Sequence, residues 1–286
     1  MANEYLKRTP VISGNRQTWT LSAWVKINDD FGSGDYNTVF SVAEGTSGNN
    51  SDRFHLYHYT SGRWVTTGTS SFSQVFTGPG GDYAASRDPA TWMHICLAVD
   101  NTGSSLNLDR YQKFWINNVE YDYDDVGNNA QYANLAINAR SVIHYIGNRD
   151  ANVSRVFDGQ MFDFYLVDGQ FLTPEVFGYH KGGTGSPQGG SHKNFDPRPG
   201  DWLPRAPRAV KNDVKSRGGF GSNGCYLPMN HSNNYGADFH CTPNSILQLK
   251  DNLPQPKAEI DGGGNYTNAL RNDPYKDGLV AALPLV

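Results

Sequence analysis

The chain has 286 residues, a formal net charge of −4 and only 18% charged residues. That length suits one large β domain or one domain with an appendage, and the mild acidity argues against general nucleic-acid binding. Three cysteines scattered at positions 96, 225 and 241 do not suggest a disulfide framework. With no export signal and no apolar run of about 18 residues, a protein neither exported by the general route nor membrane-spanning is expected.

In chain order, residues 1–16 read as an N-terminal strand or arm with a turn at Ser13-Gly14-Asn15. Residues 18–26 form the first strong strand, with Trp19, Leu21, Ala23 and Val25 on one face. A second strand covers 38–43, and residues 53–59 and 63–67 make a hairpin around Thr60-Ser61-Gly62. Residues 68–90 are rich in Ser, Gly and Pro and carry one short strand near 74–76. The organising stretch is 90–121. There Met93, Ile95, Leu97 and Val99 alternate with Trp92, His94, Cys96 and Ala98, which places Cys96 as a buried thiol. Phe114 and Ile116 then lead into Asn117-Asn118, residues that tolerate the positive φ of a two-residue hairpin turn, before Val119 and Tyr121. Strands follow at 142–147 and 160–168; strict alternation puts Phe162, Phe164 and Leu166 on one face and Asp163 on the other. Thr173-Pro174-Glu175 starts a short helix: an N-cap, a proline in the first position and an acid in the first turn.

The ordered series Trp19-Thr20-Leu21-Ser22-Ala23-Trp24-Val25, Trp92-Met93-His94-Ile95, Phe114-Trp115-Ile116-Asn117-Asn118-Val119, Ile146-Gly147 and Phe157-Asp158-Gly159-Gln160-Met161 resembles the laminin-G/concanavalin-like sandwich. The resemblance implies an all-β fold over residues 1–179, an antiparallel β-sandwich of the jelly-roll kind. More narrowly, Tyr5-Leu6-Lys7-Arg8-Thr9-Pro10, Gly14-Asn15-Arg16-Gln17-Thr18-Trp19 and residues 162–177 resemble structural proteins of marine tailed bacteriophages, as do residues 221–228 and 273–285.

From residue 180 the character changes. Eleven of the 15 prolines lie in 180–286, and the 198–217 segment carries six basic against two acidic residues. Proline removes ladder donors, so sparse sheet is expected. Residues 180–286 read as a Pro/Gly-rich, mostly irregular arm or small subdomain that lies on a neighbouring subunit, with Trp202, Arg205, Arg208 and Tyr226 as its contact residues.

Enzyme chemistry finds little to stand on. The five Glu residues (4, 44, 120, 175 and 259) show none of the E-x-D-x-x-E spacing of sandwich glucanases. Asp163 and Asp168 are five apart, hence on opposite strand faces, whereas glycosidases need a facing pair about 5–9.5 Å apart. No catalytic residue and no metal is therefore assigned. Asp122-Tyr123-Asp124-Asp125-Val126-Gly127 begins like a calcium loop but has Val126 fifth and Ala133 twelfth, where oxygen donors belong, so calcium is not predicted. His55 and His58 point to opposite faces of one strand, and Cys225, His231, His240 and Cys241 are too irregularly spaced for zinc. What remains is sugar binding. Tyr57, Tyr59 and Trp64 near one hairpin, and Tyr121, Tyr123 and Asn128 near one loop, offer aromatic faces and polar partners; the competing reading places half of them in the core or a subunit interface. The expectation is a non-enzymatic homo-oligomeric protein on the virion surface, either capsid decoration or tail-fibre component. It would touch sister copies, other virion proteins and host surface glycans, and no cofactor, nucleic acid or membrane. The alternative is a free carbohydrate-binding lectin.

Overall fold

The computed structural model describes residues 5–28, 36–43, 53–59, 62–68, 73–78, 91–102, 112–125, 135–149, 155–181, 202–229 and 248–249. Its strands are β1 (Leu6–Arg8), β2 (Thr18–Ile27), β3 (Tyr36–Ala43), β4 (Phe54–Tyr59), β5 (Arg63–Thr67), β6 (Ser73–Thr77), β7 (Met93–Asp100) and β8 (Gln112–Ile116). They continue as β9 (Val119–Asp125), β10 (Ile143–Ile146), β11 (Gly159–Asp168), β12 (Gly178–His180), β13 (Trp202–Pro204), β14 (Cys225–Leu227) and β15 (Gln248–Leu249). A 3-10 turn spans Pro174–Val176 and a helix, α1, spans Pro207–Ser216. No helix among the described residues is long and apolar enough to cross a membrane.

Among the described residues, 13 strands form one curled sheet in the order β14-β11-β2-β7-β8-β9-β6-β5-β4-β3-β10-β1-β15, and a separate pair joins β12 to β13. The pairings are antiparallel, and the sheet curls over into the two facing layers of a jelly-roll sandwich. β9 belongs to both layers: residues 119–121 pair with β8 and residues 122–125 with β6. Alternation fills the space between the layers. Trp19, Leu21, Ala23 and Val25 of β2 and Met93, Ile95, Leu97 and Val99 of β7 are all fully buried there. Their partners come from the other layer: Trp19 meets Phe54 at 5.1 Å between ring centroids, Phe40 meets Phe164 at 6.0 Å, and Phe76 meets Phe114 at 4.5 Å. Each buried ring stabilises the sandwich by about 2–3 kcal/mol.

The turn between β8 and β9 is the one the asparagines anticipate, with Asn117 at φ +49° and Asn118 at +66°. Asn117 also accepts a hydrogen bond from the His94 backbone N–H at 2.8 Å. Asn118→Ala should therefore lower stability by about 1 kcal/mol in chemical denaturation while Asn118→Gly stays near wild type, because alanine resists the left-handed region and glycine does not. Equal stability of the two variants would refute this account of the turn.

Strict alternation fails in β11. Phe162 pairs with Trp24 and Tyr165 with Ser22, so three steps on β11 match two on β2. The extra residue is a β-bulge in which Asp163 sits at φ +48°. Phe162 consequently leaves the face of Phe164 and Leu166 and packs on the outer surface, stacked on Trp24 at 5.7 Å and edge-on to Trp92 at 4.8 Å. The Thr173 side chain makes no cap bond, and the short helix expected there is a three-residue 3-10 turn.

The largest departure concerns the C-terminal region. Residues 202–229, expected on a neighbouring subunit, are seated on their own sandwich. β14 adds to the edge of β11, β13 pairs with β12, and α1 lies over the outer face of the β2–β7–β11 layer. A second core forms there from Cys96, Ala98, Trp115, Tyr165, Val167, Leu172, Val176 and Phe177 beneath Val210, Val214, Phe220 and Tyr226. The physical reason is legible afterwards: Pro207 occupies the first helical turn, where proline fits, and Val210 and Val214 are four apart on one helix face.

Candidate functional site

The two strand carboxylates weighed and set aside as a catalytic pair, Asp163 and Asp168, each sit in a hydrogen-bonded structural setting. Asp163, lifted by the bulge, accepts a 2.7 Å hydrogen bond from the Tyr226 hydroxyl, and burial pushes its carboxyl up to about 6. Asp168 ends β11 inside a polar knot. It accepts hydrogen bonds from the backbone N–H of Asn15 (2.6 Å) and of Asn223 (2.9 Å) and from the Asn138 amide (3.2 Å). Burial raises its carboxyl above the usual range even against these bonds. Two loops reach it by lacking side chains: a Cβ on Gly14 would stand 1.9 Å from Asp168 Oδ2, and one on Gly221 would stand 2.1 Å from Asp168 O. The Arg8 guanidinium donates to the Asn223 carbonyl and closes the knot. Asp163 and Asp168 share none of these partners.

A serine–histidine contact, absent from the sequence reading, also lacks nucleophilic chemistry. Ser22 Oγ lies 2.8 Å from His94 Nε2, and Trp202 Nε1 donates to His94 Nδ1 at 3.1 Å. Because indole can only donate, Nδ1 is the acceptor and Nε2 carries the proton toward the serine. A general base requires the reverse. Burial pushes this imidazole down to about 3, so it stays neutral. Among the described residues, no group of three or more His, Cys, Asp or Glu side chains could hold a metal ion.

The outer face of the β3–β4–β5 layer is different in kind. On β4, Phe54 and Leu56 face the core, so Tyr57 and Tyr59 face outward, opposite Thr38 and Tyr36 of β3 and opposite Val65 and Arg63 of β5. Tyr36 stands at the centre, 5.0 Å from the Tyr57 ring and 5.3 Å from the Tyr59 ring. Above it lie two guanidiniums, with Arg155 Cζ 4.6 Å and Arg149 Cζ 5.9 Å from the ring centroid. A bridge between Asn148 and Val156 aligns the two chain segments and sets these arginines side by side. Burial, reinforced by Tyr36, pushes the Tyr57 phenol up to about 12 while both arginines pull it down, so it is a neutral hydrogen-bonding group. Tyr57 is 7% exposed and Tyr36 and Tyr59 are half-buried, which gives a firm floor with accessible rims. Aromatic faces beside planar cations can stack on a sugar ring and hold its polar substituents.

The sequence-predicted residues divide around this cluster. Tyr57 and Tyr59 belong to it. Trp64 does not: at 1% exposure it is core, 5.7 Å from Phe114, because its register opposite His58 points it between the layers. Tyr123 lies on β9 opposite Phe76, and Asn128 lies outside the described residues, as does most of the calcium-like loop. Trp202 and Tyr226 are buried within their own chain. Arg205 donates to the carbonyls of Glu175 and Val176 and to Asp213, so it clamps α1; Arg208 is exposed on α1. Cys225 is buried on β14, whereas His231, His240 and Cys241 fall outside the described residues. The residues missed were Tyr36, Arg149 and Arg155. Tyr36 was findable, since it extends by two residues the strand read from 38; the arginines were not, because only the fold brings them over it.

No protein-family model matches the chain, and no curated protein matches it by sequence. Solved structures do match in shape. A Bacteroides ovatus protein described as carbohydrate-binding superposes with a TM-score of 0.46 at 13% identity over 87% of this chain and 56% of that one. A heptameric pentraxin of Limulus polyphemus matches at 0.40 and 15% over 59% and 71% of the two chains. The tailspike protein 2 catalytic fragment of bacteriophage CBA120 matches at 0.38 and 12%, over 60% and 25%. This chain spans about half the length of the Bacteroides ovatus protein and a quarter of the tailspike fragment. No family match stands behind the narrower resemblance to structural proteins of marine tailed phages.

Proposed function

We propose that this chain is a non-enzymatic, glycan-binding jelly-roll domain displayed on the outside of a phage particle. The observation that carries the glycan reading is the Tyr36–Tyr57–Tyr59 cluster with Arg149 and Arg155 on the outer face of one layer. Among the described residues, the outer face of the opposite layer is covered by residues 202–229, and the aromatic–cation face is left open to a ligand. The structural roles of Asp163, Asp168 and His94 support the absence of catalysis. The virion placement is supported by the phage-like motif series. A glycan array tests the binding reading: wild type should bind a subset of glycans, and Tyr59→Ala or Tyr36→Ala should lower affinity about tenfold, the loss of roughly one stacking contact. No binding by wild type, or undiminished binding by both variants, would remove it.

The free-lectin reading is favoured by one observation, that residues 202–229 pack on their own sandwich rather than reaching elsewhere. Mass spectrometry of purified particles separates the two. A stoichiometric presence in washed virions supports display, and recovery only in the soluble lysate supports the free lectin.

A further inference from the structure

We infer that Trp92, Phe162 and Trp24 form a second carbohydrate platform, which stacks on the C–H face of a pyranose while Gln160 and Lys26 take its hydroxyls. This site goes beyond the Tyr36 face, for it lies on the other layer, at the margin of the cover made by residues 202–229. Three adjacent strands build it. On the outer face of β2, Trp24 stands opposite Phe162 of β11 and His94 of β7, and in the next row Lys26 stands opposite Gln160. Trp92 directly precedes β7, and its ring reaches across β2 to meet Phe162 edge-on at 4.8 Å, while Phe162 stacks on Trp24 at 5.7 Å. Among the described residues, the cover meets this row at Trp202, whose ring lies 5.9 Å from that of His94. Trp24 is the buried floor, Trp92 and Phe162 are half-buried, and Gln160 is exposed.

The bulge in β11 points to the same patch independently. Regular alternation would put Phe162 on the inner face with Phe164 and Leu166, where a ring is most stabilising. Instead the extra residue, Asp163, takes φ +48° and buries its carboxyl, two locally unfavourable features whose net result is a phenyl ring turned outward. Bulges re-aim side chains beside functional sites, and broken local rules concentrate there. The rim selects a sugar over a protein. A stable protein contact takes roughly 800 Å² from each partner, far more than two half-buried rings present, and lysine is depleted from such contacts. One pyranose matches the platform in size. Its C–H groups meet an aromatic face, and its hydroxyls pair with an amide that donates and accepts and with an ammonium that donates.

Titration with laminarihexaose, cellohexaose and xylohexaose, followed through the indole N–H resonances by NMR, tests this. The Trp92 signal is identified by its disappearance in Trp92→Phe. At least one of the three sugars should shift that signal saturably in the wild type. Gln160→Ala should move the midpoint of the shift about threefold toward higher sugar concentration, and Phe162→Leu about tenfold, each with an unchanged melting curve. If Phe162→Leu melts early, Gln160→Ala alone decides, since an exposed glutamine would not matter to rings that merely shield Trp24. Sugar binding that leaves the Trp92 signal in place overturns this platform while the Tyr36 face stands. Midpoints unmoved in the variants, or no binding of any of the three sugars, overturn it as well, and the Tyr36 reading is then judged on its own variants.

Discussion

A chain cut after His180 is expected to lose its cooperative fold rather than survive as an independent sandwich. The sequence suggests the opposite, since the laminin-G-like motifs end before residue 180. The covered face explains the reversal. Removing residues 181–286 strips Val210, Val214, Phe220 and Tyr226 from the second core and β14 from the edge of β11, and takes Trp202 from His94. It leaves Cys96, Trp115, Tyr165, Val167 and Phe177 facing water. At about 1.5–3 kcal/mol for each large buried side chain, the combined loss reaches or exceeds the 5–15 kcal/mol that holds a typical domain together. The expected result is insoluble protein or, in solution, bound hydrophobic dye and no sharp melting transition. A soluble 1–180 fragment with a cooperative transition would show that the tail decorates the sandwich and does not complete it.

Asp163→Asn is expected to stabilise the protein by about 2 kcal/mol at about pH 7.5, with the gain shrinking to about 1 kcal/mol or less near pH 4.5. Asp163 ionises at about 6 in the fold, against 3.8 for an ordinary aspartate, because burial disfavours its charge. A carboxyl raised by folding penalises the native state above its folded pKa, and the penalty fades as pH falls through that value toward the unfolded one. Two units amount to roughly 3 kcal/mol, from which the unmatched amide N–H of asparagine takes about 1. Asparagine keeps an oxygen for the Tyr226 hydroxyl and is at home at φ +48°. Groups packed around the site include Tyr165, and Lys211 lies over the Tyr226 ring. The comparison must be made between variant and wild type at each pH, because His94 and His144, both pushed down to about 3 by burial, destabilise either protein as pH drops below about 6.5. Denaturant midpoints across this range measure it. A destabilised variant at pH 7.5 would mean that the Asp163 charge is compensated by the fold.

Much of the architecture could be read from local pattern. Alternation in β2 and β7, and the Asn117-Asn118 turn, required no knowledge of neighbours, since side-chain period and left-handed tolerance are properties of the residues themselves. The errors share one cause. Alternation misplaces Phe162 because a single bulge residue reverses the faces before it relative to those after it, and no local signal marks Asp163 as that residue. Proximity to Tyr57 and Tyr59 along one hairpin groups Trp64 with a sugar platform, although its register opposite His58 directs it inward. The prolines after 180 predict sparse sheet, which leaves room for the helix that Pro207 begins and whose packing partners local pattern does not reveal.

By itself, then, the sequence determined the alternating strands and the residues that line the central core, because those follow from periodicity over a few residues, while the jelly-roll sandwich was what the resemblance of the ordered motif series implied. Only the tertiary structure decided which outer face residues 202–229 cover, and so which face lies open among the described residues. It alone brought Arg149 and Arg155 onto Tyr36, since contacts between residues more than a hundred positions apart depend on sheet order and layer packing, which short-range patterns do not encode.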